Sequence, residues 1–417
     1  MTHYPSFTFS AVNAAIRLGS REARPCRDGY NECRVSSPKL EEATHRGAPV
    51  NRAAYKHWAT SREVRAEEKS SGAFGSLRNL GRREFLAGLA IVGADVLISR
   101  SVVSAQTPAP FRIDVHNHIT PPIYAAELGP KRLISGPVQN WTVGKALEDM
   151  DRAGVTTAIT SLAPPGVWNG DDAMARSLAR KCNDEAARLV ADHKGRFGMF
   201  VNLPMPDVEG SLREIEYGLD TLKADGVCMF TSYGDKWLGD PHFNPVFDEL
   251  NRRGAVVYTH PKSANCCKNV LPNISDSEIE YGTDTTRAIT QYVFGGTARR
   301  CPNVRIIFSH AGGTMPFLIE RFVNLAKSQA FAPQLPQGFL AEATKFYYDT
   351  AQTANAAAMA ALLKVVPVSQ IVFGTDYPFR TAADHVKGLQ ECGMFTDKNL
   401  RDIGRENAVK LLPRYKT

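Results

Sequence analysis

The sequence predicts an α/β chain whose residues 111–417 form a parallel (β/α)8 TIM barrel, and three observations predict it. Eight short apolar runs of strand length alternate with longer amphipathic segments over about 300 residues, the span of one such barrel. The runs are continuous rather than alternating, as strands buried on both faces require. The first run ends in His-Asn-His, where a doubly wound sheet would carry a Gly-rich phosphate turn.

Composition bounds the answer before any element is placed. The chain has 417 residues, is 43% hydrophobic and 22% charged, and so excludes a mostly disordered, collagen-like or polytopic membrane protein. Its net charge of +7 is unevenly spread. Residues 1–110 hold 16 Lys/Arg against 10 Asp/Glu, and the rest of the chain is nearly neutral. A basic excess confined to a leader predicts no nucleic-acid surface. The eight cysteines show no CxxC pair and no framework spacing. Cys228 and Cys301 lie in or beside apolar runs and are expected to be buried thiols. Adjacent Cys266 and Cys267 are either two loop residues or a ligand or redox pair.

The leader comes first in the chain. Residues 1–80 show neither strand nor helix periodicity and read as disordered, or as an extension created by a start codon assigned too early. Residues 81–105 open with Gly81-Arg82-Arg83-Glu84-Phe85-Leu86-Ala87 and continue apolar to about Ser104. This resembles a twin-arginine export signal, with Val103-Ser104-Ala105 as a small-residue cleavage site and 106–110 as a linker. The resemblance implies the twin-arginine translocon as a partner and a periplasmic or exported protein; without it the chain would be cytoplasmic. Asp95 and Arg100 interrupt the apolar stretch, and central charges cost about 2.5–3.5 kcal/mol each, so no stable membrane span is expected.

The strands follow at 112–118, 156–162, 197–203, 226–232, 255–260, 305–310, 346–351 and 371–376, each β-branched or aromatic in content. Helical segments lie between them, among them 172–191, 208–223 and 314–326. The segment 331–338, with Pro333 and Pro336, reads as an arm or a mouth loop.

Four of the seven barrel histidines close predicted strands, at the end where such barrels carry their chemistry. His116 and His118 are two apart on the first strand, so their imidazoles share a face. His260 ends the fifth strand, and His310 ends the sixth ahead of Gly312-Gly313, which lets backbone approach a ligand closely. Asp376 ends the eighth, as a fourth ligand or a proton carrier. Three neutral imidazoles and one carboxylate suit Zn2+ first, with Mn2+ or Fe2+ as alternatives. The fourth strand ends in Cys228-Met229-Phe230-Thr231-Ser232 and offers no lysine for a bridging carbamate, so one divalent ion is expected rather than two.

At these residues the sequence resembles the amidohydrolase-related superfamily, in the branch of aminocarboxymuconate-semialdehyde decarboxylase and the aromatic-acid decarboxylases. The matching pieces are Asp114-Val115-His116-Asn117-His118, Thr259-His260-Pro261, Ser309-His310-Ala311-Gly312-Gly313 and Gly374-Thr375-Asp376-Tyr377-Pro378, with 406–412 resembling the closing helix. The resemblance implies a metal-dependent hydrolase-like barrel, assigns His116, His118, His260 and Asp376 to the metal, and gives His310 and Asp376 catalytic roles. Loops at 163–168 and 231–241 are similar to bacterial proteins grouped with 6-methylsalicylate decarboxylase. Three functions follow as expectations. The first is non-oxidative decarboxylation of a small 2-hydroxybenzoate-like acid, with Asp376 delivering the proton and Tyr124, Trp168 and Trp237 walling the ring. The second is hydrolysis of a lactone, amide or ester by a metal-activated water; the third is a non-catalytic metal-binding barrel. Relatives of this kind are commonly homodimers, which the resemblance carries over as an expectation.

Overall fold

The computed structural model describes residues 111–416. The leader 1–80, the signal segment 81–105 and the linker 106–110 lie outside the described residues.

Eight strands follow one another around a single parallel sheet in chain order. They are β1 (Arg112–Ile119), β2 (Val155–Leu162), β3 (Phe197–Asn202), β4 (Gly226–Phe230), β5 (Val256–His260), β6 (Arg305–Phe308), β7 (Tyr347–Asp349) and β8 (Ile371–Val372). The sheet closes on itself. The amide of Val115 donates to Phe373 O at 3.0 Å, that of Asp376 to His116 O at 2.8 Å, and that of His118 to Tyr377 O at 2.8 Å. Helices return the chain between strands: α1 (Val143–Ala153), α2 (Asp172–Asp192), α3 (Val208–Glu216), α4 (Asn244–Arg253), α5 (Glu280–Phe294), α6 (Met315–Ala326), α7 (Ala356–Leu363) and α8 (Ala382–Glu391). Local chemistry starts them where the sequence turns polar. Asp171, Asp207, Asn355 and Thr381 each accept a backbone N–H in the first turn of the helix they open. Left-handed Gly154 and Gly254 end α1 and α4. The predicted helix at 208–223 is α3 continued by a π turn over Tyr217–Thr221.

The barrel floor is apolar. Ile113, Val115, Phe200, Tyr258 and Ile307 form one buried cluster, closed from below by Ala408, Leu411 and Leu412 at the chain's end. Fully burying side chains of this size is worth about 1.5–3 kcal/mol each. Cys228 and Cys301 are buried free thiols, while Cys266 is exposed and Cys267 partly so. The 331–338 segment packs outside the barrel, with the Phe331 ring 4.8 Å from that of Phe294 on α5. No helix among the described residues is long and apolar enough to cross a membrane.

Five strands stop short of their predicted ends, β3 by one residue and β4, β6, β7 and β8 by two or more. β6 ends at Phe308 because His310 and Ala311 take left-handed φ of 53° and 55°. β8 ends at Val372, and Asp376 has φ 62°. β7 ends at Asp349, and Gln352 follows with φ 57°. Left-handed non-glycine residues cost about 1–3 kcal/mol each and collect where a site demands them.

Candidate metal centre

β1 carries one extra residue between Asp114 and Asn117 relative to Ala158 and Thr160 of β2. Such a bulge re-aims the side chains beyond it. Ile113 and Val115 join the floor cluster, and His116 and His118 meet the other histidines above it. Gly374 lets β8 come against them, since a Cβ there would lie 2.8 Å from His116 Cβ and 3.0 Å from Asp349 Cβ. Asp114 fixes this seam. Its Oδ1 accepts from the amides of His116 and Thr375 at 3.0 and 3.1 Å, and its Oδ2 from Thr375 Oγ1 at 2.6 Å. Burial raises the Asp114 carboxyl to about 6.

All four residues assigned to the metal meet. Asp376 Oδ1 lies 3.1 Å from His116 Nε2, 3.0 Å from His118 Nε2 and 3.6 Å from His260 Nε2, and the Nε2 atoms of His116 and His118 are 3.2 Å apart. A tetrahedral ion bound at about 2.0–2.1 Å sets its donors about 3.3 Å from one another, so this packing fits one. His310 belongs to the same cluster: donor atoms of His116, His260, His310 and Asp376 all lie within 4.8 Å of one another.

The outer nitrogens are already committed. His116 Nδ1 donates to Asp349 Oδ2 at 2.8 Å, His260 Nδ1 to Pro261 O at 2.7 Å, and His310 Nδ1 to Ala351 O at 3.1 Å. These bonds turn each Nε2 towards the centre, where a bound ion would take its lone pair in place of a proton. Buried His260 Nε2 and His310 Nε2 have no hydrogen-bond partner. A buried nitrogen left so is costly, and a cation beside it removes the cost. Burial lowers His118, and lowers His260 and His310 to about 4, keeping these rings neutral. Burial also works against charge on His116, but Asp349 and then Asp376 outweigh it and lift His116 to about 10. For Asp376, burial is outweighed by the His116 charge and the imidazole hydrogen bonds, which hold the carboxylate well below its usual range. The two carboxylates thus call for positive charge between them, which a divalent ion would supply. The donor set fits a metal.

Sequence reasoning missed Asp349, although it stood inside a predicted strand. It is wholly buried, and its Oδ1 accepts the amides of His310 at 2.9 Å and Ala351 at 3.0 Å while its Oδ2 holds the His116 ring. It orients a ligand rather than facing the centre. Gln352, also missed, donates from Nε2 to Asp376 Oδ2 at 3.1 Å, and its own amide donates to buried His385.

Above the centre opens a cavity of about 1310 Å³ with His260, His310 and Asp376 in its floor and Trp168, Tyr281 and Phe379 in its walls. Two expected wall residues are elsewhere. Tyr124 is fully buried, and its hydroxyl donates to Ala163 O at 2.8 Å and accepts from the Gly166 amide at 3.2 Å, so it props the loop instead of lining the cavity. Trp237 donates from Nε1 to buried Asp284 at 2.5 Å and lines a separate groove with Phe322 and Phe331. The Gly312-Gly313 pair serves packing more than ligand approach. A Cβ at Gly313 would collide with Gly282 O on α5, although Gly313 does edge the cavity. Half-buried Lys262, two residues beyond His260, also lines the cavity, and burial lowers it to about 8.

Comparison with known proteins agrees with the barrel fold. The family described as amidohydrolase matches residues 113–414. A protein named decarboxylase yanB from Aspergillus niger is 34% identical over 325 residues, covering 73% of this chain and 88% of the relative. A 6-methylsalicylic acid decarboxylase from Penicillium expansum is 32% identical over 316 residues, covering 73% and 97%. Among solved structures, a dihydroxybenzoic acid decarboxylase from Polaromonas sp., with bound manganese and the inhibitor 2-nitroresorcinol, superposes with TM-score 0.62 at 21% identity, covering 73% of this chain and 97% of that one. At that identity the likeness speaks for the fold.

Proposed function

The chain belongs to the amidohydrolase family, and from that premise we propose that it is a metal-dependent, non-oxidative decarboxylase of a small aromatic acid with a hydroxyl beside its carboxylate. One observation carries the reading: inward Nε2 atoms and Asp376 Oδ1, 3.0–3.6 Å apart, form the floor of a cavity with aromatic walls. The relatives named as decarboxylases, one of them for 6-methylsalicylic acid, support the reaction and the substrate class.

His116, His118, His260 and Asp376 would hold the ion. Zn2+ suits three neutral imidazoles and a carboxylate, and the manganese in the Polaromonas enzyme supports Mn2+ as the alternative. When bound, the ion supplies a template for the carboxylate and its neighbouring oxygen and a sink for negative charge. His310 Nε2, its lone pair open, accepts the hydrogen bond of the substrate hydroxyl and passes that proton towards Asp376. Gln352 steadies Asp376 through Oδ2. Asp376 then delivers the proton to the ring carbon bearing the carboxylate. The bond to the carboxylate breaks, its electron pair returns to the ring, CO2 leaves, and the phenolate takes a proton from water.

The test is to load the protein with Zn2+ or Mn2+, incubate it with a panel of hydroxybenzoates, and measure CO2 and the phenol formed. CO2 release that a chelator abolishes and either ion restores supports the reading. Turnover of lactones, amides or esters with no CO2 from any aromatic acid overturns it in favour of hydrolysis.

Export is a separate proposal, supported by the Arg82-Arg83 motif and the apolar stretch after it. Fractionation of cells carrying the Arg82→Lys, Arg83→Lys variant tests it, the expected result being retention in the cytoplasm.

A further inference from the structure

Two cations line the cavity, Lys262 and Lys268. Lys268 is exposed and donates from Nζ to Asn265 Oδ1 at 2.7 Å. Lys262 differs. Among the described residues it has no hydrogen-bond or ion-pair partner, and aromatic rings surround it: Nζ lies 5.0 Å from the Tyr233 ring centre and 5.7 Å from those of Phe230 and Trp168. Such distances are within the reach of cation–π attraction, which stabilises an ammonium but leaves its three N–H donors unused. Withdrawing a charge from water without an anion is costly, so a built cage of this kind calls for one. Inside the barrel mouth Lys262 is also tied to the metal centre, because Phe230 touches both: its ring lies 6.0 Å from that of His260. The carboxylates nearest the floor are already engaged, Asp376 by the histidines and Asp284 by Thr231, Ser232 and Trp237. Asp276 and Glu278, which also line the cavity, form no ion pair with Lys262 either, so its place is open to an anion from outside the chain.

We propose that Lys262 is the residue that selects an anionic aromatic acid over its uncharged phenolic product, its ammonium pairing with the carboxylate of the bound acid. This rests on the decarboxylase reading and deepens it. Trp168 and Phe230 hold the ammonium in place, and the acid's carboxylate lies between Lys262 and the centre. Loss of CO2 removes the anion from Lys262, so the product is held less tightly than the substrate and leaves.

The experiment measures equilibrium binding of salicylate, 2-hydroxy-6-methylbenzoate and phenol to the full chain, metal-free and Mn2+-loaded, as wild type, Lys262→Met and Lys262→Arg. Methionine keeps the stem's packing against the rings and removes the charge. Lys262→Met is expected to weaken both acids at least about tenfold, or about 1.4 kcal/mol, in both metal states. Phenol binding should change by less than about twofold, and Lys262→Arg should keep acid binding within about threefold of wild type. Unchanged acid affinity in Lys262→Met, or an equal loss for phenol, overturns the proposal. CO2 release by the wild type is read in parallel: acid binding that depends on Lys262 without any CO2 sinks the decarboxylase reading and upholds the anion site. A wild type that binds neither acid sinks both.

Discussion

Replacing Asp349 by Asn changes one oxygen for an NH2 group and should detach a metal ligand without unfolding the barrel. Three N–H donors converge on this carboxylate: His116 Nδ1 at 2.8 Å and the amides of His310 and Ala351 at 2.9 and 3.0 Å. A carboxamide has one acceptor oxygen for them. If that oxygen keeps the two amides, the NH2 faces His116 Nδ1–H, and the imidazole escapes only by moving its proton to Nε2. That closes the lone pair aimed at the centre. If the amide flips, two buried backbone N–H groups face a donor instead, at about 1–3 kcal/mol each. Losing the partner that orients a metal-bound histidine costs about 10–100-fold in affinity, or about 1.4–2.7 kcal/mol. The assay is a Zn2+ or Mn2+ titration in a metal buffer, read beside a thermal melt of the metal-free protein. Loss of affinity with a cooperative melt retained is the expected outcome. Unchanged metal affinity would show that the Asp349–His116 bond does not set the tautomer.

Three further outcomes are expected. His310→Ala should retain the metal but lower CO2 release at least about 10²-fold; full activity would remove His310 from the reaction, and loss of the metal would make it a ligand. Gly313→Ala puts a Cβ against Gly282 O at a φ of 65° and should destabilise by about 1–3 kcal/mol in urea unfolding, whereas a change below about 0.5 kcal/mol would mean that the α5 contact yields freely. A chain beginning at Gln106 should fold, bind metal and melt as the full chain does, because the floor cluster and the closing helix both lie beyond it; an insoluble product would place part of the core in the leader.

Much of the site was legible because its chemistry sits at strand ends. His116 and His118 share a face through simple spacing, and His260, His310 and Asp376 each close an apolar run. Asp349 was hidden for a physical reason: it works by touching His116, 233 residues away in the chain, and a strand aspartate carries no local signature of such a partner. Lys262 was hidden similarly, since Trp168, Phe230 and Tyr233 surround it only once the loops have folded. Tyr124 and Trp237 misled in the opposite direction. Aromatic residues on loops serve equally as walls or as props, and polar atoms bonded to Ala163 O and Asp284 made these two props.

Periodicity and strand-end chemistry, both local properties, determined the barrel, the residues that meet at its mouth, and the kind of ion they suit. Direction and distance were decided only in three dimensions. The bulge in β1 chose which face His116 and His118 present, the left-handed turns at His310 and Asp376 aimed those side chains inward, and Asp349 set the tautomer. Each depends on hydrogen bonds between strands far apart in the chain, which exist only after the cylinder has closed.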